Sequence, residues 1–261
     1  MQNLKDLSKV QAQSVRFLLT DVDDTITSNG KLRPEALKAL YLLEEAKIRT
    51  ICVTGGSAGW ADTYIRQWPI EAVVSESGAV SLYREAGAIK KFVHPSIIKE
   101  GYLERVGQMI RHVLDTVKEA KLSSDQFARL YDVAFDHGSE PPFLDKRGIE
   151  QVVALCQKMG ASTAVSSIHV NAWFGQFDKY RGTQAFFADV LGIQEQEMVD
   201  FSCYCGDAPN DQVMFERFPL SFGVGNLRKH QNTMHSLPSF CAQAEGGEGF
   251  AEIVAALLAV R

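Results

Sequence analysis

The sequence predicts an α/β fold: a core of parallel strands alternating with helices, interrupted once by an inserted α+β cap. Three observations lead there. Short apolar runs alternate with amphipathic stretches through the first third of the chain, the same alternation returns in the last third, and the middle follows a different rhythm. With 261 residues the chain is long enough for one large domain or two unequal ones.

Taken in order, VRFLLT (15–20) reads as a strand. Pro34 then opens a helix through Ala46, with Leu37, Leu40, Tyr41 and Leu43 on its apolar face. RTICVT (49–54) is a second strand ending in Gly55-Gly56, and Ser57 caps a helix that runs toward Trp68 and stops before Pro69. EAVVS (71–75) is a third strand. Strand, helix, strand, helix, strand at these spacings predicts a right-handed, Rossmann-like parallel sheet. Near the other end, a helix over 182–191 leads to the strand FSCYC (201–205) and a short helix over 210–218. The strand LSFGVG (220–225) and a closing helix over 250–260 complete the pattern. Between these blocks, two short strand-like stretches precede a long helix (97–120) and a second helix (148–159). ASTAVSS and IHVNAWF then read as paired antiparallel strands. The core is therefore expected over residues 1–82 and 179–261, and the cap over 83–178.

Composition narrows the function classes. The chain is 46% hydrophobic and 23% charged, ordinary for a globular protein, and its net charge of −5 gives no general attraction to nucleic acid or to an anionic membrane. Cys52, Cys156, Cys203, Cys205 and Cys241 sit mostly in apolar runs; their odd number and irregular spacing read as buried, reduced thiols rather than a disulfide framework. The CxC at 203–205 lacks a second Cys/His pair and reads as strand packing rather than a metal site. The N-terminal MQNLKDLSKVQAQS has no signal-peptide apolar core, and no apolar run approaches the ~20 residues that span a bilayer. A cytoplasmic protein with a small-molecule partner, not a nucleic acid or a membrane, is the expectation.

The first strand runs directly into Asp21, Asp23 and Asp24. In an open parallel sheet, ligands bind outside the carboxyl ends of the strands, where strand order reverses. Asp21 and Asp23 are two positions apart, so on an extended backbone their Cα atoms lie about 6–7 Å apart with both side chains on one face. A phosphoryl group fits between such a pair, one carboxylate attacking phosphorus and the other protonating the leaving oxygen. Two carboxylates would repel a phosphate dianion, so positive charge must come from elsewhere. GDAPND (206–211) follows a strand and places Asp207 at its carboxyl end, with Asn210 and Asp211 opening the next helix. Oxygen ligands from two strand ends suit Mg²⁺. Thr54 with Gly55 and Gly56 can offer a hydroxyl and backbone N–H groups to phosphate oxygens, and Lys179 an ammonium.

In this order, Asp21-Val22-Asp23-Asp24-Thr25, Thr54-Gly55, Lys179 and Gly206-Asp207-Ala208-Pro209-Asn210-Asp211 resemble the four motifs of the haloacid dehalogenase superfamily of Mg²⁺-dependent phosphohydrolases. Glu76-Ser77-Gly78-Ala79 is similar to a turn of its Cof-type branch, which includes sugar-phosphate, sucrose-phosphate and mannosylglycerate-phosphate phosphatases; FGVGN (222–226) and EGGEGF (245–250) resemble that branch's C-terminal strand and Gly-rich turn. The resemblance implies that Asp21 is the nucleophile that forms an aspartyl-phosphate and Asp23 the general acid, then base. It implies that Asp21, the backbone carbonyl of Asp23, and Asp207 hold Mg²⁺, with Asn210 or Asp211 completing or orienting that shell, and that Thr54 and Lys179 hold phosphoryl oxygens. Two positions depart from the family: Asp24 stands where glycine is common, and Gly56 where the second motif commonly has arginine.

In the cap, His169, Asn171 and Trp173 alternate along one strand and share a face that could meet a sugar hydroxyl surface, with Ser166 and Ser167 before them; a half-buried strand with a wet polar side fits them equally. The expected activity is Mg²⁺-dependent hydrolysis of a small phosphorylated metabolite, above all a sugar phosphate. The alternatives are a phosphomutase or phosphotransferase using the same aspartyl-phosphate, and a phospho-accepting signalling module. The last also uses clustered aspartates and a lysine at strand ends, but it needs neither the cap nor GDAPND.

Overall fold

The computed structural model describes residues 1–97, 100–166 and 168–261. The core strands are β1 (Phe17–Thr20), β2 (Arg49–Val53), β3 (Ala72–Ser75), β4 (Val80–Glu85), β5 (Ala88–Val93), β6 (Ser202–Gly206), β7 (Ser221–Gly223) and β8 (Phe240–Cys241). With the N-terminal pair Gln2–Asn3 they form one sheet in the order Gln2–Asn3, β8, β7, β6, β1, β2, β3, β4, β5. Pairing is parallel from Gln2–Asn3 through β3 and antiparallel for β4 and β5. Strand β1 lies centrally, with β2 on one side and β6 on the other, so the reversal of strand order and its crevice fall at the carboxyl end of β1.

β1 is buried at every position. Strands covered on both faces need no polar alternation, and the two faces instead feed two apolar layers. Leu18, Cys52, Val73, Cys203 and Cys205 join the layer under the helices Pro34–Glu45 and Gly246–Ala259, while Phe17, Leu19, Ile51, Val53, Val74 and Tyr204 join the one under the helix Lys179–Phe186. All five cysteines are buried.

The structure corrects several expected edges. Pro34 opens its helix as expected, but the buried face is Ala36, Ala39, Leu40 and Leu43, and Tyr41 is 47% exposed. Two alanines on that face let the C-terminal helix approach, and Tyr41, one residue past Leu40, is rotated out toward solvent. The closing helix begins at Gly246, inside the Gly-rich stretch, because Gly247 and Gly249 lie against the Ile26 and Ala244 carbonyl oxygens where no side chain fits. The hairpin β4–β5 extends the core sheet through Val93, so the expected boundary at residue 83 falls within a core strand.

The cap is a four-stranded antiparallel sheet in the order Ser162–Val165, His169–Trp173, Val133–Asp136, Lys121–Leu122. The helices Tyr102–Thr116 and Lys146–Lys158 pack on it around Met109, Val113, Phe135, Val152, Cys156 and Val170. The first of these is shorter than expected: Gly101, at φ +74°, precedes it and Val117 leaves it in extended conformation; Ile98 and Lys99, within the expected span, lie outside the described residues. Val133–Asp136, a central strand of this sheet, was not expected. Among the described residues no helix is long and apolar enough to cross a membrane.

The chain returns from cap to core at Asp178, and the helix that follows sits directly on the turn after β3. A Cβ on Gly182 would lie 2.3 Å from the Gly78 Cα, and one on Gly78 (φ +105°) 2.4 Å from the Asp178 carbonyl oxygen, so the two backbones touch.

Candidate active site

Asp21 leaves β1 with its N–H bonded to the Cys205 carbonyl at 2.9 Å, and Asp207 leaves β6 directly alongside. Carboxylate oxygens of Asp21, Asp207 and Asp211 lie within 4.8 Å of one another, and all three residues are buried. The Lys179 ammonium, itself buried, bridges Asp21 Oδ1 at 2.9 Å and Asp211 Oδ1 at 2.7 Å. Segments from opposite ends of the chain thus meet at one point.

Acids held this close repel one another's charge. Burial pushes the Asp21 carboxyl up to about 7 despite the pull of Lys179, and burial followed by the charges of Asp211 and Asp21 drives Asp207 well above the usual carboxylate range. Asp23, half-buried, opens into the same cleft as Asp21, Thr54 and Gly55; burial and then the charge of Asp24 raise it to about 6. The Lys179 ammonium is pushed upward by Asp21 and Asp211, which outweigh its burial.

The carboxylates differ in what they have left to offer. Asp211 Oδ1 accepts Lys179 and the Tyr204 hydroxyl (2.5 Å), and its Oδ2 accepts the N–H groups of Asp207 (2.9 Å) and Ala208 (3.2 Å). Both oxygens are committed, so Asp211 orients the lysine and the Asp207 loop. Gly206 permits this fold-back, since a Cβ there would meet Asp211 Oδ2 at 2.4 Å. Asp207 is steadied by Thr25 Oγ1 (3.2 Å) and Asn226 Nδ2 (2.7 Å), and Asn226 Oδ1 accepts the Gly246 N–H, which gives FGVGN and the Gly-rich turn a shared role. Asn210 Oδ1 is buried and has no hydrogen-bond partner among the described residues. An all-oxygen donor set with an orphaned amide oxygen and an excess of acid fits a hard divalent cation such as Mg²⁺.

Thr54 Oγ1 accepts the Gly56 N–H at 2.9 Å, leaving its own proton for an acceptor in the cleft. Asp24 has φ +55°, a left-handed conformation that explains why glycine is common there; its Oδ1 accepts the Asn29 N–H.

The cap residues divide. Asn171 Nδ2 donates to the Gly55 carbonyl (3.1 Å) and to Asp132 Oδ2 (2.9 Å), so its amide ties cap to core. Trp173 is buried, its ring stacked on Phe177 and its Nε1 bonded to the Phe177 carbonyl; it lines the larger of two clefts with Asn171 and Lys179, while His169 and Asn171 line the one that holds Asp21. His169 lines that cleft; burial and then Arg129 hold its imidazole down at about 4, and its Nε2 has no partner among the described residues. Ser166 Oγ accepts the His169 N–H, and Ser167 lies outside the described residues.

Sequence reasoning missed a second cluster. Glu76 Oε1 accepts the N–H groups of Ala58 and Leu130, and Oε2 those of Tyr131 and Asp132, joining the core turn to a cap loop. Arg129, its side chain wholly buried, bonds Asp125, Asp132 and the Gly55 carbonyl (2.9 Å). Its acids stand four residues before and three after it, a spacing visible in the sequence. Two clefts, of about 570 and 420 Å³, meet beside these ties and share Gly55, Asn171 and Asn210; the smaller holds Asp21 and Asp23, the larger Lys179.

No family model matches the chain, and no curated protein matches it in sequence. Solved structures do match along most of its length. The sucrose-phosphatase of Synechocystis sp. PCC6803, solved with sucrose and phosphate, is 15% identical, with a TM-score of 0.63 over 92% of this chain and 97% of that one. A phosphatase of the haloalkanoate (HAD) superfamily from Bacteroides thetaiotaomicron is 18% identical, with a TM-score of 0.61 over 95% and 96%. A haloacid dehalogenase-like hydrolase from B. subtilis is 16% identical, with a TM-score of 0.65 over 92% and 99%. The chain therefore has the fold of the haloacid dehalogenase-like hydrolases.

Proposed function

We propose that the chain is a Mg²⁺-dependent phosphomonoester hydrolase that works through an aspartyl-phosphate on a small phosphorylated metabolite, best a sugar phosphate. The observation that carries this reading is the meeting of Asp21 and Asp207 with Lys179 at the point of strand reversal. Asp21, Asp207 and the Asn210 amide oxygen would hold Mg²⁺, which when bound supplies the positive charge that lets a phosphate approach carboxylates.

Asp21 attacks phosphorus with a carboxylate oxygen, and the bond from phosphorus to the leaving oxygen breaks. Asp23 gives its proton to that oxygen as the alcohol departs. The same group, now a carboxylate, takes a proton from water, whose oxygen attacks phosphorus and frees phosphate and Asp21. A carboxyl raised to about 6 can serve as both acid and base near neutrality. Lys179 neutralises Asp21 and the phosphoryl oxygens, and the Thr54 hydroxyl donates to one of them. The cap, tied down at Glu76 and Arg129, keeps bulk water from the cleft.

The test is hydrolysis of p-nitrophenyl phosphate and a panel of phosphorylated metabolites with Mg²⁺. Turnover that vanishes in Asp21→Asn and on chelation supports the reading. A wild-type protein inert across the whole panel overturns it.

A further inference from the structure

One wall of the cleft that holds Asp21 and Asp23 is aromatic. Trp60, Tyr64 and Trp68 recur one helical turn apart on and just after the helix Ala58–Gln67 and line that cleft together. Their rings stack in series, Trp60 on Tyr64 at 5.7 Å between centroids and 19° between planes, Tyr64 on Trp68 at 4.3 Å and 18°. Tyr64 and Trp68 are buried, while Trp60 is 50% exposed. An indole backed by two packed rings is a rigid apolar platform, and leaving it half in water has a cost that a flat ligand would remove. The helix that carries it begins just beyond Thr54–Gly56, so the platform and the loop beside the acids ride on one element.

The cap lines the same cleft with polar groups. Ser123, Ser124 and Ser139 bring hydroxyls, Glu140 a carboxylate, and His169 an imidazole nitrogen without a partner among the described residues. Arg129, the one lysine or arginine among the described residues lining this cleft, is spent on Asp125 and Asp132. Among the described residues of this lining no free cation is left for a second anionic group, and the serine, carboxylate and imidazole groups suit a ligand rich in hydroxyls. A pyranose has that character: an apolar C–H face and a rim of hydroxyls.

We propose that the substrate is a phosphorylated glycoside whose second, uncharged sugar ring lies flat on Trp60 and turns its hydroxyls to the cap wall. This rests on the phosphohydrolase reading and specifies the occupant of the same cleft. Trp60 sets specificity and takes no part in the chemistry.

The test compares kcat/KM for a disaccharide monophosphate such as sucrose phosphate, a monosaccharide phosphate, glycerol phosphate, a sugar bisphosphate and nucleoside monophosphates. Wild type favours the disaccharide monophosphate over glycerol phosphate by about tenfold or more, and Trp60→Ala removes most of that ratio through KM while Trp60→Phe restores it. A preference for nucleotides or the bisphosphate, or a ratio that Trp60→Ala leaves intact, overturns the proposal. Binding of sucrose phosphate to Asp21→Asn, with and without Trp60→Ala and read by titration calorimetry, separates the two readings. Trp60-dependent binding with no turnover of any ester by wild type sinks the reaction and keeps the glycoside site; turnover of esters without Trp60-dependent binding does the reverse.

Discussion

The acid cluster of the core and the charge cluster at the cap junction are both buried, and both hold more acids than bases. In the core, Asp21, Asp207 and Asp211 face Lys179. At the junction, Asp125, Asp132 and Glu76 face Arg129. They differ in hydrogen bonding. Glu76 receives four backbone N–H groups, and Asp132 receives Arg129 and Asn171. Burial raises carboxyls in both, Asp21 and Glu76 alike to about 7, but beside the core cluster Asn210, which lines the cleft with Asp21, keeps an amide oxygen with no partner among the described residues. Buried charge is tolerated where donors match it and is costly where they do not. The junction is matched by donors as folded and ties cap to core; the core cluster has an acceptor left over beside it, which on the proposed reading a cation would take.

Four experiments sharpen or break this contrast. Lys179→Ala removes the one ammonium paired with these acids among the described residues, and turnover should fall by about 10³-fold or more, or ~4 kcal/mol of transition-state stabilisation, in steady-state kinetics. Next, Mg²⁺ at a hundred times its dissociation constant should raise unfolding free energy by about 2.7 kcal/mol in a denaturant titration, and Asp207→Asn should abolish the gain. An equal gain in Asp207→Asn would place the ion elsewhere. At the junction, Glu76→Gln keeps one acceptor oxygen and turns an NH₂ toward N–H donors, so stability should drop by about 2 kcal/mol, with no change in the increment from Mg²⁺. Asp24→Gly should be the mildest: relief of a left-handed backbone offsets the lost bond from Asn29, leaving the change within about 1 kcal/mol in the same titration.

The core was readable because its signals are local. Each acid follows a short apolar run that could only be a strand, so Asp21, Asp23 and Asp207 could be placed at strand ends from the sequence, and Thr54 and Lys179 by order. The junction was not readable in the same way. Glu76 bonds the backbone amides of residues 130–132, and a backbone N–H leaves no mark in a sequence. Val133–Asp136 is four buried residues with no alternation, too short to separate from the loop before it. Trp60, Tyr64 and Trp68 did have a signature, the recurrence of aromatic residues every fourth position, but a buried helix face has the same one. Asn171 sat where the alternation of a strand put it, and only the nearby Gly55 carbonyl and Asp132 determine that its amide is taken.

Where Gly78 meets Gly182, main chain rests on main chain with no side chain between to yield. The position of Lys179 beside Asp21 is therefore set by main chain packed on main chain rather than by side chains of the cap. A displacement of residues before Asp178 would leave that contact, and with it the lysine, where it is.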